Sequence, residues 1–250
     1  MILRISSGQL YKMLQVGQNA ISSKPPYPIL ADFLFSMDGD KLSITSTDLE
    51  FTIISETTIT PSDTGQFAFP AEILVSTLKE MPEQPIELIF EEADNMLKMI
   101  SAYGNYRSSS NSIEDYPEIP EIRTESQINI PASRFLKAIS TCVFATATDE
   151  MKANMLGIAI NIQPDAVIVA ATDAHKLVKY TIFHDNGENE SELVIPKKAV
   201  SVLRHIIEDD ENLQINYDRN HIFFEYKNYK VFCKLINQKF PNYNSVIPIN

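Results

Sequence analysis

Two places in the sequence hold side chains that could carry out acid–base or metal chemistry. Asp173 and His175 follow the apolar run Ala166 to Ala170, and a carboxylate beside an imidazole can move a proton. The run Glu208 to Glu211 supplies four carboxylates that could bind a divalent cation. However, no nucleophile is placed to use the histidine, and the acidic run lacks the ligand spacing and the glycine turn of a cation-binding loop. An α+β enzyme that uses His175 and Asp173 is therefore an alternative interpretation, and we expect no cofactor and no metal.

The basic side chains suggest a second chemistry, the binding of phosphate groups. Four windows with helical character, 7 to 24, 70 to 80, 131 to 146 and 196 to 207, hold eight basic and two acidic residues, a net charge of +6. The whole chain carries −12, so the remainder carries −18. Basic surfaces bind nucleic-acid backbones without reading base sequence, although exposed helix faces are often charged for no such reason. The candidate phosphate-binding residues are Lys12, Lys24, Lys79, Arg134, Lys137, Lys197, Lys198 and Arg204.

Apolar residues at helical spacing define the elements that must position these side chains. Leu10, Met13 and Leu14 predict a helix over 8 to 22, and a proline before a similar pattern predicts another over 70 to 80. Runs of β-branched or alternating residues, such as 27 to 36 and 51 to 58, predict strands. One structural unit is therefore predicted to contain a helix, three strands, a second helix and three more strands. If each helix packs its apolar face on a sheet, the basic faces can all point one way.

The sequence repeats itself at a spacing of about 125 residues. The equivalent landmarks, in chain order, are Leu10 and Phe135, Thr47-Asp48 and Thr172-Asp173, Pro70 and Pro196, and Tyr116-Pro117 and Phe240-Pro241. Four landmarks in the same order make coincidence between two unrelated small domains a poor explanation. We predict two tandem α+β domains, 1–124 and 125–250.

The composition is that of an ordinary globular protein. The 250 residues are 44% hydrophobic and 22% charged, enough for two domains of common size with their own cores. No apolar run is long enough to span a bilayer, and the N-terminus does not look like a signal peptide, so we expect a cytoplasmic protein. Cys142 and Cys233 each lie in an apolar stretch, which is typical of buried thiols rather than a disulfide or metal ligands.

Five ordered segments of the chain resemble the landmarks of bacterial DNA polymerase III beta subunits, the sliding clamps. The resemblance covers essentially the whole sequence. It implies a DNA clamp fold, in which tandem domains each place two helices on one face of antiparallel sheets, with helices inside a ring and sheets outside. The matching segments are Ser23 to Leu30, Thr45 to Glu50, Ala170 to Leu177, Val194 to Lys198 and Lys239 to Tyr243.

The resemblance implies a non-catalytic processivity factor that encircles duplex DNA. Lys24, Lys197 and Lys198 match positions expected to contact the DNA backbone, with Arg134 and Lys137 as lining residues. A peptide-binding pocket would tether the DNA polymerase III alpha subunit, the clamp loader and other proteins that carry a clamp-binding motif. A DNA-independent peptide-binding adaptor is a further alternative. The positions that match the pocket are Met155, Thr172, Ala174, His175, Lys176, Leu177, Pro241, Ser245 and Val246.

Some positions depart from the family pattern. Ala174 and Lys176 stand where glycine and arginine are more common, and Asp149 replaces a polar amide in a loop expected to approach DNA. The third domain of the family is absent from this chain, so we expect either a fragment or a two-domain form that closes a ring as a trimer. Tyr106, on a predicted edge strand, matches the ring interface of the full-length homo-oligomer.

Overall fold

A computed structural model describes residues 1–60, 63–119 and 126–247, which form two compact units. The first unit comprises Met1–Pro120 and Asn228–Val231, and the second comprises Glu121–Lys227 and Phe232–Asn250. The boundary predicted between residues 124 and 125 lies outside the described residues. Within the described ranges, no helix is both long enough and apolar enough to cross a membrane.

The first unit contains two helices and two antiparallel sheets. One sheet has the strand order β1-β6-β7-β8 and the other has the order β5-β2-β3-β4. The elements are β1 (Ile2–Ser6), α1 (Ser7–Gly17), β2 (Asp32–Asp38), β3 (Lys41–Thr47), β4 (Phe51–Thr58), β5 (Gly65–Pro70), α2 (Ala71–Lys79), β6 (Pro85–Glu91), β7 (Met96–Ser101) and β8 (Gly104–Ser109).

The second unit has the same order of helices and strands. One sheet has the order β12-β11-β10-β13, and a second contains β9, β14 and β15 in that order. The elements are β9 (Ser126–Pro131), α3 (Ala132–Cys142), β10 (Gly157–Gln163), β11 (Ala166–Thr172), β12 (Leu177–Phe183), β13 (Ser191–Pro196), α4 (Lys197–Ile206), β14 (Asn212–Tyr217) and β15 (His221–Tyr226). The last strand of the order, β16 (Tyr229–Lys234), has residues 229–231 in the first unit and residues 232–234 in the second.

The core of each unit lies between its helices and its sheets. In the first unit, Leu10 and Leu74 of the two helices pack with the stacked rings of Phe35 and Phe67, whose centroids are 4.7 Å apart. In the second unit, Phe135 of α3 packs on Phe224 of β15 at 6.0 Å. The two helices within a unit also contact each other. The predicted fold class, α+β with helices on one face of antiparallel sheets, is confirmed.

Some predicted element boundaries are wrong for local reasons. The first helix ends at Gly17 rather than residue 22. The Asn19 side-chain amide donates to the carbonyls of Gln15 and Val16 and so competes with the backbone N–H groups that would continue the helix. The strand predicted from residue 27 begins at Asp32, because Pro28 opens a short 3-10 helix, Pro28–Ala31. Each unit also has one strand before its first helix and four strands, not three, between its helices.

Candidate phosphate-binding helices and peptide site

The four helices hold seven basic side chains and one acidic side chain, Glu72, a net charge of +6. Of the eight predicted phosphate-binding residues, only Lys24 lies outside a helix, in the loop that follows α1. Lys198 is half-buried and the other seven are exposed. The segregation of positive charge into helices, predicted from the windows, is therefore present in the elements themselves.

Helices α3 and α4 turn their basic side chains away from the core. Phe135 and Ile139 of α3 are fully buried, while Arg134 and Lys137 are exposed. On α4, a buried stripe is formed by Val200, Leu203 and Ile206. Lys197 and Arg204 of the same helix are exposed. The exposed side of this helix pair is therefore the basic side.

Arg204 has a structural partner that the sequence did not reveal. Its Nε donates to Ser140 Oγ at 3.0 Å, and its guanidinium also donates to the Ser140 carbonyl at 3.3 Å. Arg204 thus joins α4 to α3 while remaining exposed. These hydrogen bonds between the two helices hold the Arg204 guanidinium in place.

The turn between β11 and β12 is built by the side chains of Thr172 and Asp173. Asp173 Oδ1 accepts the backbone N–H groups of His175 and Lys176, both at 2.9 Å, and its Oδ2 is ion-paired with the Lys176 ammonium. Thr172 Oγ1 accepts the Ala174 N–H at 3.1 Å and donates to the Lys176 carbonyl at 2.7 Å. These bonds hold Ala174 at a φ of 76°, in the left-handed region. The turn presents Ala174, His175 and Lys176 to solvent.

The turn between β3 and β4 repeats this arrangement 125 residues earlier. Asp48 Oδ1 accepts the N–H groups of Glu50 at 3.1 Å and Phe51 at 2.8 Å, and Thr47 Oγ1 accepts the Leu49 N–H at 3.1 Å. Leu49 has a φ of 77°. The repeat proposed from the Thr-Asp pairs is therefore present in the backbone and its hydrogen bonds.

The segment Glu150–Met155 connects the β11–β12 turn to the chain that leads into Pro241. Lys152 Nζ donates to the Asp173 carbonyl at 3.0 Å, and Asn154 Nδ2 donates to the Lys239 carbonyl at 3.2 Å. Met155, half-buried, ends this segment. Its backbone carbonyl accepts the Ala147 N–H at 2.9 Å, which holds this end of the segment in place.

The last part of the predicted peptide site is the short 3-10 helix Tyr243–Val246. Ser245 Oγ donates to the Asn242 carbonyl at 2.8 Å, and Val246 is 69% exposed. Lys179 Nζ lies 5.9 Å from the Tyr243 ring centroid, which places this helix beside β12, the strand that begins at Leu177. All nine predicted residues thus lie on connected segments of the second unit.

A cavity of about 450 Å³ on the second unit was not predicted. It lies between β10, β13 and residues 235–244, and its lining includes Asn161, Glu192 and Arg219. Of the nine predicted peptide-site residues, all of which the structure describes, Pro241 alone borders it. Part of its lining is the contiguous stretch 235–244, which contains the Lys239 to Tyr243 segment noted in the sequence, but the strands that complete the cavity are distant in sequence and were not associated with it.

The surroundings of Asp173 argue against acid–base catalysis by this residue and His175. The Lys176 ammonium and the two backbone N–H groups hold the pKa of the Asp173 carboxyl well below its usual range, so it is a weak proton acceptor at neutral pH. In the acidic run, Asp209 is bonded to Lys227 Nζ at 2.5 Å and to the Tyr226 hydroxyl, which lowers the pKa of Asp209 to about 2. Among the described residues, no group of three or more His, Cys, Asp or Glu side chains could hold a metal ion.

Two other predicted positions have clear local settings. Tyr106 lies on β8, the edge strand of its sheet, opposite Met99 of β7, and is 45% exposed. Asp149 Oδ1 accepts the Met151 N–H at 3.0 Å and caps the segment that follows it. The acidic substitution noted in the sequence therefore also stabilises a local turn.

Known proteins resemble this chain along its whole length. The family model described as the DNA polymerase III beta subunit, N-terminal domain, matches residues 1–120, and the model for the central domain of the same subunit matches residues 129–242. The beta sliding clamp of Synechococcus elongatus is 26% identical over 247 residues, which are 96% of this chain and 66% of that protein. That of Haemophilus influenzae is 26% identical over 248 residues, 98% and 68% of the two chains.

Solved structures agree in fold. The DNA polymerase III subunit beta of Pseudomonas aeruginosa superposes with a TM-score of 0.93 at 24% identity, covering all of this chain and 69% of that one. The sliding clamp of Bacillus subtilis gives a TM-score of 0.93 at 23% identity, with 100% and 68% coverage. The chain spans about two thirds of the length of these relatives.

Proposed function

Because the chain belongs to the family of the DNA polymerase III beta subunit, we propose that it acts as a sliding clamp, a non-catalytic processivity factor held on duplex DNA. Its role is to keep a polymerase and other proteins on the template. Topology around the duplex, rather than tight affinity, would supply this retention. Binding of this chain alone to linear DNA is therefore expected to be weak.

The segregation of charge carries the proposal. A chain with a net charge of −12 holds a net +6 in its four helices, and the basic side chains lie on their exposed faces. Such faces attract phosphates by releasing counterions, independently of base sequence, whereas acidic surfaces elsewhere repel DNA. Lys24, Lys197 and Lys198 are proposed to contact the DNA backbone. Within their own units, Lys12 and Lys79 in the first and Arg134, Lys137 and Arg204 in the second are proposed to add to the attraction of phosphates.

The second unit is proposed to capture partner peptides at the segments around Met155, the 172–177 turn and Pro241 to Val246. The proposed ligands are short, partly apolar segments of the DNA polymerase III alpha subunit, the clamp loader and other clamp-binding proteins. Leu177 and Val246 supply apolar surface, and the exposed His175 and Lys176 supply polar contacts. We also propose that β8 with Tyr106 forms the interface of a homo-oligomeric ring.

The salt dependence of DNA binding tests the lining. In a fluorescence anisotropy titration with a labelled duplex, the double variant Lys197→Ala and Lys198→Ala should flatten the plot of log K against log salt by about 0.9 for each lost phosphate contact. A matched control, Lys41→Ala with Lys98→Ala, removes the same charge from strands β3 and β7. An unchanged slope in the helix variant, or an equal change in the control, would contradict the proposal.

A peptide titration separates the clamp from a DNA-independent adaptor. Val246→Asp places a charge in the proposed peptide site and should weaken binding of a synthetic peptide that carries two large apolar side chains. Phe183→Asp changes a side chain of similar exposure, 78% against 69%, at the far end of β12 and serves as the control. Peptide binding without any salt-dependent DNA binding would favour the adaptor.

A further inference from the structure

The first unit carries an apolar cavity that none of the predicted phosphate-binding or peptide-binding residues borders. Its volume is about 620 Å³, and its lining includes Tyr27, Leu49, Asn111, Asp115 and Pro117. Tyr27 is 61% exposed and Leu49 is 51% exposed. Large apolar side chains held at the rim of a cavity are characteristic of ligand-binding surfaces.

The cavity occupies the place in the first unit that the peptide site occupies in the second. Leu49, at the left-handed position of the β3–β4 turn, corresponds to Ala174. Pro117 corresponds to Pro241, and the 3-10 helix Pro28–Ala31 precedes β2 as Glu150–Met155 precedes β10. The larger side chain at the turn gives the first unit more apolar surface than Ala174 gives the second.

The walls of this cavity are held by internal hydrogen bonds. Asn111 Nδ2 donates to Asp32 Oδ2 at 2.6 Å, and Asp32 is almost fully buried, which raises the pKa of its carboxyl. The Tyr116 hydroxyl donates to the Thr45 carbonyl at 3.1 Å and fixes the chain between Asp115 and Pro117. One hydrogen of the Asn111 amide group is therefore used by Asp32, and the amide oxygen is the atom able to accept an N–H group from a ligand.

Among the described residues that line the cavity, Asp115 is the only charged one. The three chain segments that supply the lining, 27–30, 48–51 and 111–118, contain five carboxylates and no lysine or arginine. In the second unit, His175 replaces Glu50 and Lys239 replaces Asp115 at the equivalent positions. The two surfaces share a backbone plan but would favour ligands of opposite charge.

We propose that the cavity of the first unit binds a short peptide segment in which a large apolar side chain lies next to lysine or arginine. The apolar side chain enters between Tyr27 and Leu49. The basic side chain pairs with Asp115, and the peptide backbone donates to Asn111. This site goes beyond the proposed clamp function and does not depend on peptide binding by the second unit.

Two synthetic peptides with a shared Leu-Phe pair test the proposal on the full chain. One is flanked by lysines and the other by glutamates, and both carry a fluorophore for anisotropy. The lysine-flanked peptide should bind more tightly, and its affinity should fall as salt is raised. Leu49→Asn should weaken it about tenfold, since it removes a buried apolar contact while asparagine still tolerates the left-handed backbone. Asp115→Asn should reduce the salt dependence.

The matched variant Ala174→Asn changes the equivalent turn in the second unit. Binding that is lost in Ala174→Asn but retained in Leu49→Asn would assign the peptide to the second unit and overturn the proposal. Equal or tighter binding of the glutamate-flanked peptide would also overturn it. The proposal would also be overturned if neither peptide bound and the chain instead formed a concentration-dependent dimer that Leu49→Asn dissociates. A second copy of the chain would then occupy the cavity. Circular dichroism and cooperative unfolding of each variant exclude loss of the fold as the cause.

Discussion

The two units share an architecture and differ in surface charge. The helix pair of the first unit carries Lys12 and Lys79 against Glu72, a net charge of +1, whereas that of the second carries five basic residues and no acidic one, +5. A spacing of 125 residues aligns the buried positions of α2 and α4, so that Leu78 corresponds to Leu203 and Glu72 to Lys197. The prolines that precede these helices, Pro70 and Pro196, are 126 residues apart.

This difference separates what builds the fold from what the surface binds. The Thr-Asp pairs that close the two turns keep their identity in both units, and equivalent core positions such as Leu10 and Phe135 stay apolar, because packing and hydrogen bonding leave few alternatives. Exposed positions on the same helices and turns have changed charge. We therefore expect the second unit to attract phosphate more strongly, and the proposed ligand of the first unit is basic.

The largest expected effect concerns the shared core. Phe135 and Leu10 occupy equivalent positions and are both fully buried. Phe135→Ala should lower the free energy of unfolding by about 3–5 kcal/mol, and Leu10→Ala by about 2–5 kcal/mol, through lost burial and the cavity left behind. Denaturant unfolding followed by circular dichroism measures both. A loss below about 1 kcal/mol for either residue would show that the two units do not depend equally on this packing position.

The second prediction concerns the unequal charge of the two helix pairs. Arg134→Ala with Lys137→Ala should flatten the salt dependence of DNA binding by about two units of slope. Lys12→Ala with Lys79→Ala removes the same charge but should have a smaller effect, because Glu72 and Glu80 already reduce the positive potential near Lys79. Anisotropy over one salt series compares the two variants. If Lys12→Ala with Lys79→Ala changed the slope more, the main phosphate-binding surface would lie on the first unit and not on the second.

Much of the fold could be predicted from the sequence, because the buried stripes of α1 and α3 and the proline before α2 are local signals. The strand Ile2–Ser6 was missed because its alternation spans only five residues and runs directly into a helix. The strand Gly65–Pro70 was missed because its aromatic residues stand next to the proline that marks the helix start. Both strands depend on pairing with distant partners, Ile2–Ser6 with β6 and Gly65–Pro70 with β2.

The candidate sites show the same limit: features made by neighbouring residues could be predicted from the sequence, and features made by distant residues could not. The Thr-Asp turns could be predicted, because each is made by residues within a few positions of one another. The link from Arg204 to Ser140 and the cavity beside Tyr27 could not, because their partners are distant in sequence. Both the sign of the charge and its place opposite the apolar stripe of each helix could be predicted, because helical spacing is a local signal.

The smallest effect is expected at the turn between β11 and β12, which the side chain of Asp173 closes. This effect depends on pH. Lys176 stands where the first unit has Phe51, so Lys176→Met makes this turn resemble its counterpart. In the wild type, Lys176 and two backbone N–H groups hold the pKa of Asp173 below 3.8, so the stability that this carboxylate contributes is present above that pH and is lost as the pH falls through the folded pKa.

Removing the ammonium should therefore raise the pKa of Asp173 towards 3.8 and make the loss of stability below that pH smaller than in the wild type. Carbon-detected NMR titration of the Asp173 carboxyl reports the pKa, and thermal unfolding against pH reports the stability. Lys179→Met removes a lysine from β12, the strand that follows the turn, without changing this ion pair, and should leave the titration unchanged. An Asp173 pKa that stays low in Lys176→Met would assign the shift to the two backbone N–H groups. In that case the two turns would be electrostatically alike, and the charge difference between the units would lie only in what their surfaces bind.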